Sequence, residues 1–149
     1  MELQILRTIH PPVIYHSQLA DLISLEGYPT KPEDIKHRLH RLPTKDRLLL
    51  AVDGESLLGF AHLRVSEDLI YEETAEVVAI VVEASKRRSG IGTRLITAAE
   101  TWATQSGRAR LLLRTDVIRT PAHAFFSALG YEKDSTTLEF IRDLERVNS

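Results

Sequence analysis

Glu76-Val77-Val78-Ala79-Ile80-Val81-Val82-Glu83-Ala84-Ser85-Lys86-Arg87-Arg88-Ser89-Gly90-Ile91-Gly92-Thr93-Arg94-Leu95 is the stretch whose reading decides the fold. Val77 to Val82 is an unbroken apolar, mostly β-branched run of strand length, without the polar alternation of a solvent-facing strand. It is therefore expected mid-sheet and buried on both sides. Lys86 to Thr93 is cationic, then Gly-rich, and opens into a helical pattern. A strand that feeds a helix through such a turn points unpaired backbone N–H groups outward, with the positive end of the helix dipole behind them. That arrangement suits an anion, most simply a phosphate. Gly90 and Gly92 let a phosphate approach the backbone and permit positive φ, while Arg87 and Arg88 add charge. An ordinary strand-to-helix connection with solvated arginines is the structural alternative.

Downstream, Ile91, Leu95, Ala98, Ala99, Trp102 and Ala103 recur at helical spacing and define one buried face, with Gly107 as the C-terminal stop. Ala109 to Thr115 reads as another buried strand, so strand, helix and strand make a right-handed unit with parallel strands. Pro121 opens a further helix and Gly130 closes it. Tyr131 to Ile141 can supply a last strand or hairpin, and 143–149 is expected to fray.

Upstream, Asp46 to Val52 and Leu57 to Val65 flank Asp53-Gly54-Glu55-Ser56, a hairpin signal, with Gly59 marking a bulge. Thr30 and Glu33 read as a capping box around Pro32, and Ile35, Leu39 and Leu42 make the stripe of the helix that follows. His37 and His40 sit on its other face without carboxylate or cysteine company, which fits a solvated face rather than a metal site. Leu19, Leu22 and Ile23 mark an earlier helix with Ser17 as N-cap, ending near Gly27. Leu3 to Thr8 is a first strand, stopped by Pro11 and Pro12.

The chain has 149 residues, a formal net charge of −2 and no cysteine. That length fits one domain, taken as residues 1–142, with a sizeable core. The charge gives no electrostatic footprint for nucleic acid. Disulfides, a thiolate nucleophile and thiolate metal sites are excluded, and no metal site is expected. No apolar run nears the roughly 20 residues that span a bilayer, and no signal core is present, so a cytoplasmic protein without membrane partner is expected.

Arg87-x-x-Gly90-x-Gly92, after an apolar strand and before an amphipathic helix, resembles the pyrophosphate-binding motif of the GNAT superfamily of acyl-CoA-dependent N-acyltransferases. The segment from Ala122 to Tyr131, with Phe125, Phe126 and Gly130, is similar to that family's later helix. Two motifs in the family's order, with fitting elements between them, extend the resemblance over essentially the whole chain. Periodicity alone gives an α/β or α+β class with a mixed sheet; the resemblance implies the GNAT fold.

The resemblance further implies acetyl-CoA as cofactor. Its pantetheine would lie along the main chain of Ile80, Val81 and Val82, where the central and parallel strands splay. The amides from Arg87 or Arg88 through Ser89, Gly90, Ile91, Gly92 and Thr93 would hold the pyrophosphate. The implied reaction is direct attack of a neutral amine on the thioester, helped by positioning and by a backbone N–H at the oxyanion. Glu76 is the first candidate base, with Asp116 and His123 next; a strand-end carboxylate paired with a surface cation is the alternative for Glu76. Many members place a Tyr acid where Phe126 stands here, so Tyr131, Tyr71 or water must protonate the thiolate, or no acid does. The turn Leu25-Glu26-Gly27-Tyr28-Pro29 and the segment from Arg119 to His123 look like aminoglycoside-type members, with Glu26 and Tyr28 facing the acceptor. A protein or peptide amine, and a homodimer, stay open.

Two other classes compete. A non-catalytic acyl-CoA sensor of the same fold is motivated by Phe126. A dinucleotide-binding domain is suggested by Gly-x-Gly between strand and helix and by Asp116, but Leu95 stands where its third glycine belongs.

Overall fold

The computed structural model describes residues 2–70, 73–87, 89–114, 120–134 and 138–145. Contacts divide the chain into two compact units, 1–114 and 115–149. The first holds β1 (Gln4–Thr8), α1 (His16–Leu25), α2 (Pro32–Leu39), β2 (Arg47–Asp53), β3 (Ser56–Val65), β4 (Thr74–Val82), α3 (Ile91–Gln105) and β5 (Arg110–Leu113). The second holds α4 (Thr120–Ala128).

The sheet runs β1-β2-β3-β4-β5, antiparallel except for the parallel β4–β5 pair, so it is the mixed sheet expected. Side chains alternate between its faces. Leu49, Ala51, Ala61, Leu63, Ala75 and Val77 pack against Ile91, Leu95, Ala99 and Trp102 of α3 on one face. Leu48, Leu50, Val52, Leu57 and Phe60 pack against Leu19, Leu22 and Ile35 of α1 and α2 on the other. An apolar run such as Leu48 to Val52 is what a strand covered on both faces requires.

Two irregularities tune the strands. Ala51 pairs Gly59 while Val52 pairs Leu57, so Leu58 is the extra residue of a bulge beside Gly59, close to where the glycine suggested one. His62 pairs Ala79 while Leu63 pairs Val77, which makes Val78 the extra residue of a bulge in β4. The bulge reverses the phase of the strand. Ala75 and Val77 face α3 before it, Ile80 and Val82 face α3 after it, and Ala79 and Val81 turn to the α1–α2 side.

Several local expectations are corrected. β4 is buried at Thr74, Ala75 and Val77, but Val78 is exposed and Ala79 to Val82 are only half-buried, and among the described residues the β4–β5 ladder ends at Val77↔Leu113. β5 is shorter than expected and half-buried. Ser17 lies inside α1, which a 3-10 turn at Val13–Tyr15 leads into. The capping box sits one residue later than read: the Asp34 carboxylate accepts the Lys31 N–H at 2.9 Å, with Pro32 at the first helical position. Leu42 lies beyond α2, and Ile96 joins the buried face of α3. Tyr131–Asp134 and the 138–145 stretch carry no strand.

Candidate active site

The open half of β4 leads directly into the cationic turn. Pairing with β3 continues to Gly59↔Val82, and beyond it the Glu83 N–H donates to Leu58 O at 2.8 Å, so one edge of Val78–Val82 is held. On the other edge, the described ladder with β5 has ended at Val77. Among the described residues, no strand pairs that edge beyond Val77, and Val82 O there accepts from Arg87 Nε at 3.3 Å; a sheet edge of this kind is what an extended ligand can join as an added strand.

Gly90 caps α3 with φ 85°, a left-handed conformation that glycine adopts without strain. Gly92 is helical, so only the first glycine is needed for positive φ. The first bond of the helix runs from the Arg94 N–H to Gly90 O at 3.0 Å, and the amides of Ile91, Gly92 and Thr93 precede it. They point along the helix axis at the mouth of the turn. Ile91 is buried, which anchors the turn to the core, whereas Ser89, Gly90 and Thr93 are exposed. Arg88 lies outside the described residues.

The structure joins one expected cofactor residue to one expected acceptor residue. The Arg87 guanidinium donates to Glu26 Oε1 at 3.2 Å and to Val82 O at 3.3 Å. Glu26 closes α1, so this pair brings the cationic turn beside the connection between the first two helices. Tyr28, on that connection, is exposed.

Glu76 lies on the α1–α2 face of β4, across from Arg64. Its Oε1 accepts from Arg114 Nε at 2.5 Å. The cation pair foreseen as the structural alternative is therefore present, and Oε2 keeps a lone pair without a hydrogen-bond partner among the described residues. Asp116 lies outside the described residues. His123, Phe126 and Tyr131 belong to the second unit. There, the Tyr131 N–H bonds Phe126 O at 3.1 Å and Gly130 N–H bonds Ser127 O at 3.0 Å, a Schellman closure with Gly130 at φ 92°. This seats the Tyr131 ring 6.4 Å from that of Phe126.

The sequence reading passed over one cluster. Asp46 is 1% exposed, and its carboxylate accepts from His62 Nε2 at 2.7 Å and from Arg64 Nη2 at 2.9 Å. The hydrogen bond from Arg64 to Asp46 raises the guanidinium pKa further, against the opposing effect of burial. The available signal was the alternation Ala61-His62-Leu63-Arg64-Val65, which places both polar groups on one face of β3.

Residues 12–131 match the family model described as the acetyltransferase (GNAT) family. An aminoglycoside N(6')-acetyltransferase type 1 from Stenotrophomonas maltophilia is 29% identical over 102 residues, a match spanning 66% of each protein. Among solved structures, aminoglycoside acetyltransferase meta-AAC0020 from an uncultured soil metagenomic sample, in complex with sisomicin, superposes with TM-score 0.80 at 20% identity. That likeness covers 96% of this chain and 97% of the other. AAC(6')-Iy in complex with a CoA-S-monomethyl-acetylneamine bisubstrate analog superposes with TM-score 0.81 at 16% identity, covering 97% and 100%. At these identities the two structures establish the shared fold.

Proposed function

Because the chain belongs to the acetyltransferase (GNAT) family, we propose that it moves an acetyl group from acetyl-CoA to a primary amine of a small molecule, by direct attack within a ternary complex. The observation that carries this reading is the end of β4, whose Val78–Val82 run lies beyond the described ladder with β5 and leads to a cationic turn and the Gly90-capped N-terminus of α3. An extended amide-bearing arm fits the first, and a pyrophosphate fits the second.

In this reading the main chain of Ile80 to Val82 binds the pantetheine. The amides of Ser89 to Thr93, with Arg87 and Arg88, bind the pyrophosphate. A β4 amide stabilises the tetrahedral oxyanion. The thiolate takes its proton from Tyr131 or from water, since Phe126 has none to donate. Glu26, Tyr28 and Glu76 form the acceptor side, where carboxylates favour a cationic amine. The named activity of the relatives makes an aminoglycoside-like polyamine the first acceptor to test, with a protein or peptide amine as the other outcome. The family match crosses both compact units, which supports one domain over 1–142. Among the described residues no helix is long and apolar enough to cross a membrane. A cytoplasmic site, near the acetyl-CoA supply, and a homodimer complete the proposal.

The test is thermal stability with acetyl-CoA, CoA and NAD, for the unaltered protein and for Arg87→Ala, Gly90→Asp and Gly92→Asp. A ligand that binds only the folded state at 100 times its Kd adds about 2.7 kcal/mol, a shift of several degrees in Tm. Stabilisation by CoA species that the variants lose, followed by acetylation of an amine from a panel, is expected. CoA binding with no transfer to any amine would make the domain a sensor. No CoA stabilisation at saturation would refute the proposal.

A further inference from the structure

We propose that His62, held by Asp46, is the group that removes the proton from the acceptor ammonium. The assignment rests on the acetyltransferase reading above and names a catalytic residue within it.

The geometry is that of an oriented imidazole. Asp46 is 1% exposed, and Arg64 binds it with Nε at 3.2 and 3.1 Å to its two oxygens and Nη2 at 2.9 Å to Oδ2. A carboxylate engaged by a guanidinium is an acceptor only, so His62 Nε2 must carry the hydrogen in its 2.7 Å contact with Asp46 Oδ2. In the neutral ring the lone pair then lies on Nδ1. That atom has no hydrogen-bond partner among the described residues, and His62 keeps 15% of its side-chain surface in solvent. A buried carboxylate behind a histidine fixes the tautomer and stabilises the imidazolium that forms.

The position is suitable as well. His62 pairs Ala79, the first residue after the β4 bulge, and both side chains lie on the α1–α2 face. Ala79 presents only a methyl group beside His62, next to the run proposed to carry the thioester. Glu76 stands across from Arg64 on the same face, with one oxygen given to Arg114. Its role is to attract the cationic amine. Among the described residues, the charged groups linked to His62 on this face are Asp46, which it bonds, Arg64 on the same carboxylate, Glu76 opposite Arg64 and Arg114 bonded to Glu76, while α1 and α2 pack there through Leu19, Ala20, Leu22 and Ile35.

The step balances. His62 Nδ1 takes a proton from R–NH3+, and the resulting R–NH2 forms the C–N bond to the thioester carbon. The C–S bond breaks as the tetrahedral centre collapses. The departing thiolate takes a proton from Tyr131 or water, giving CoA–SH, the nitrogen's second proton replaces the one that donor gave up, and His62 returns its own proton to water.

His62→Gln keeps an amide donor for Asp46 and removes the base. Its kcat/KM at neutral pH is expected to fall at least about 100-fold, with the acidic limb of the pH–rate profile lost. Tm and stabilisation by CoA should stay unchanged. In the unaltered protein, NMR titration of the His62 imidazole should coincide with that acidic limb, a readout that does not depend on the variant folding. Equal activity of His62→Gln and the unaltered protein, or a His62 titration separate from the limb, would overturn the assignment. So would loss of the limb in Glu76→Gln but not in His62→Gln. If the unaltered protein is neither stabilised by CoA nor active on any amine, the parent reading falls and this one falls with it.

Discussion

Gly59→Ala should loosen the cofactor strand by a mechanism the structure makes quantitative. A Cβ built on Gly59 falls 2.9 Å from Val81 O, 3.3 Å from Val82 Cα and 3.4 Å from Ile91 Cγ2. The first is shorter than real Cβ contacts, and the two nearest atoms are backbone, so no side-chain rotation relieves them. The added methyl must push the end of β4 away from β3, or bend β3 at the adjoining bulge. Overpacking of this kind costs about 1–3 kcal/mol. For a chain of this length, each kcal/mol lowers Tm by about 2–4 °C, so the midpoint should fall by several degrees. Because Val81 and Val82 belong to the proposed pantetheine ledge, and Ile91 anchors the anion turn, the affinity for CoA should fall in the same variant. Urea unfolding with and without CoA measures both effects. A change in stability below about 0.5 kcal/mol, the range of ordinary surface substitutions, together with unaltered CoA affinity, would refute the argument that this glycine exists for close approach.

At Gly90 the reason is different. Its φ of 85° is left-handed while a Cβ there meets no atom within 4 Å, so Gly90→Ala should cost about 1–2 kcal/mol through the backbone alone, measured by the same unfolding assay. The carboxyl of Glu67 sits below its ordinary range, first because Lys45 hydrogen-bonds it and then through the charges of Lys45 and Arg108. A depressed carboxyl contributes stability above its unfolded-state value, 4.5, and loses that contribution as pH falls through its lower folded value. Lys45→Ala should therefore move the Glu67 midpoint upward in a carboxyl-resolved NMR titration; an unmoved midpoint would show that the hydrogen bond is not the cause.

The β4–α3–β5 unit was legible because its signals are local and agree with one another. An apolar run, a Gly-rich turn and a six-position helical stripe point to one arrangement, and Ile91, Leu95, Ala99, Trp102 and Ala103 are buried as that stripe requires. The N-caps of α1 and α2 were read with a shift of register. Ser17 and Thr30 have the right side chains, but Tyr15 and Lys31 hold the positions where the chain turns into the helix. Cap preference is worth about 1 kcal/mol, less than the burial of Tyr15, Leu19 and Ile35 that sets where each helix starts.

By itself the sequence determined the order of the elements from β1 to α4, the buried stripe of α3 and the cationic, glycine-capped turn, because strand and helix periodicities and turn chemistry depend on residues a few positions apart. Tertiary structure alone decided that the described β4–β5 ladder reaches Val77, that Val78 bulges and reverses the faces of the strand, that Arg87 meets Glu26, and that Asp46 reaches both His62 and Arg64. Each joins residues far apart in the chain through register, and register is set by the packing of whole faces rather than by any one residue's preference.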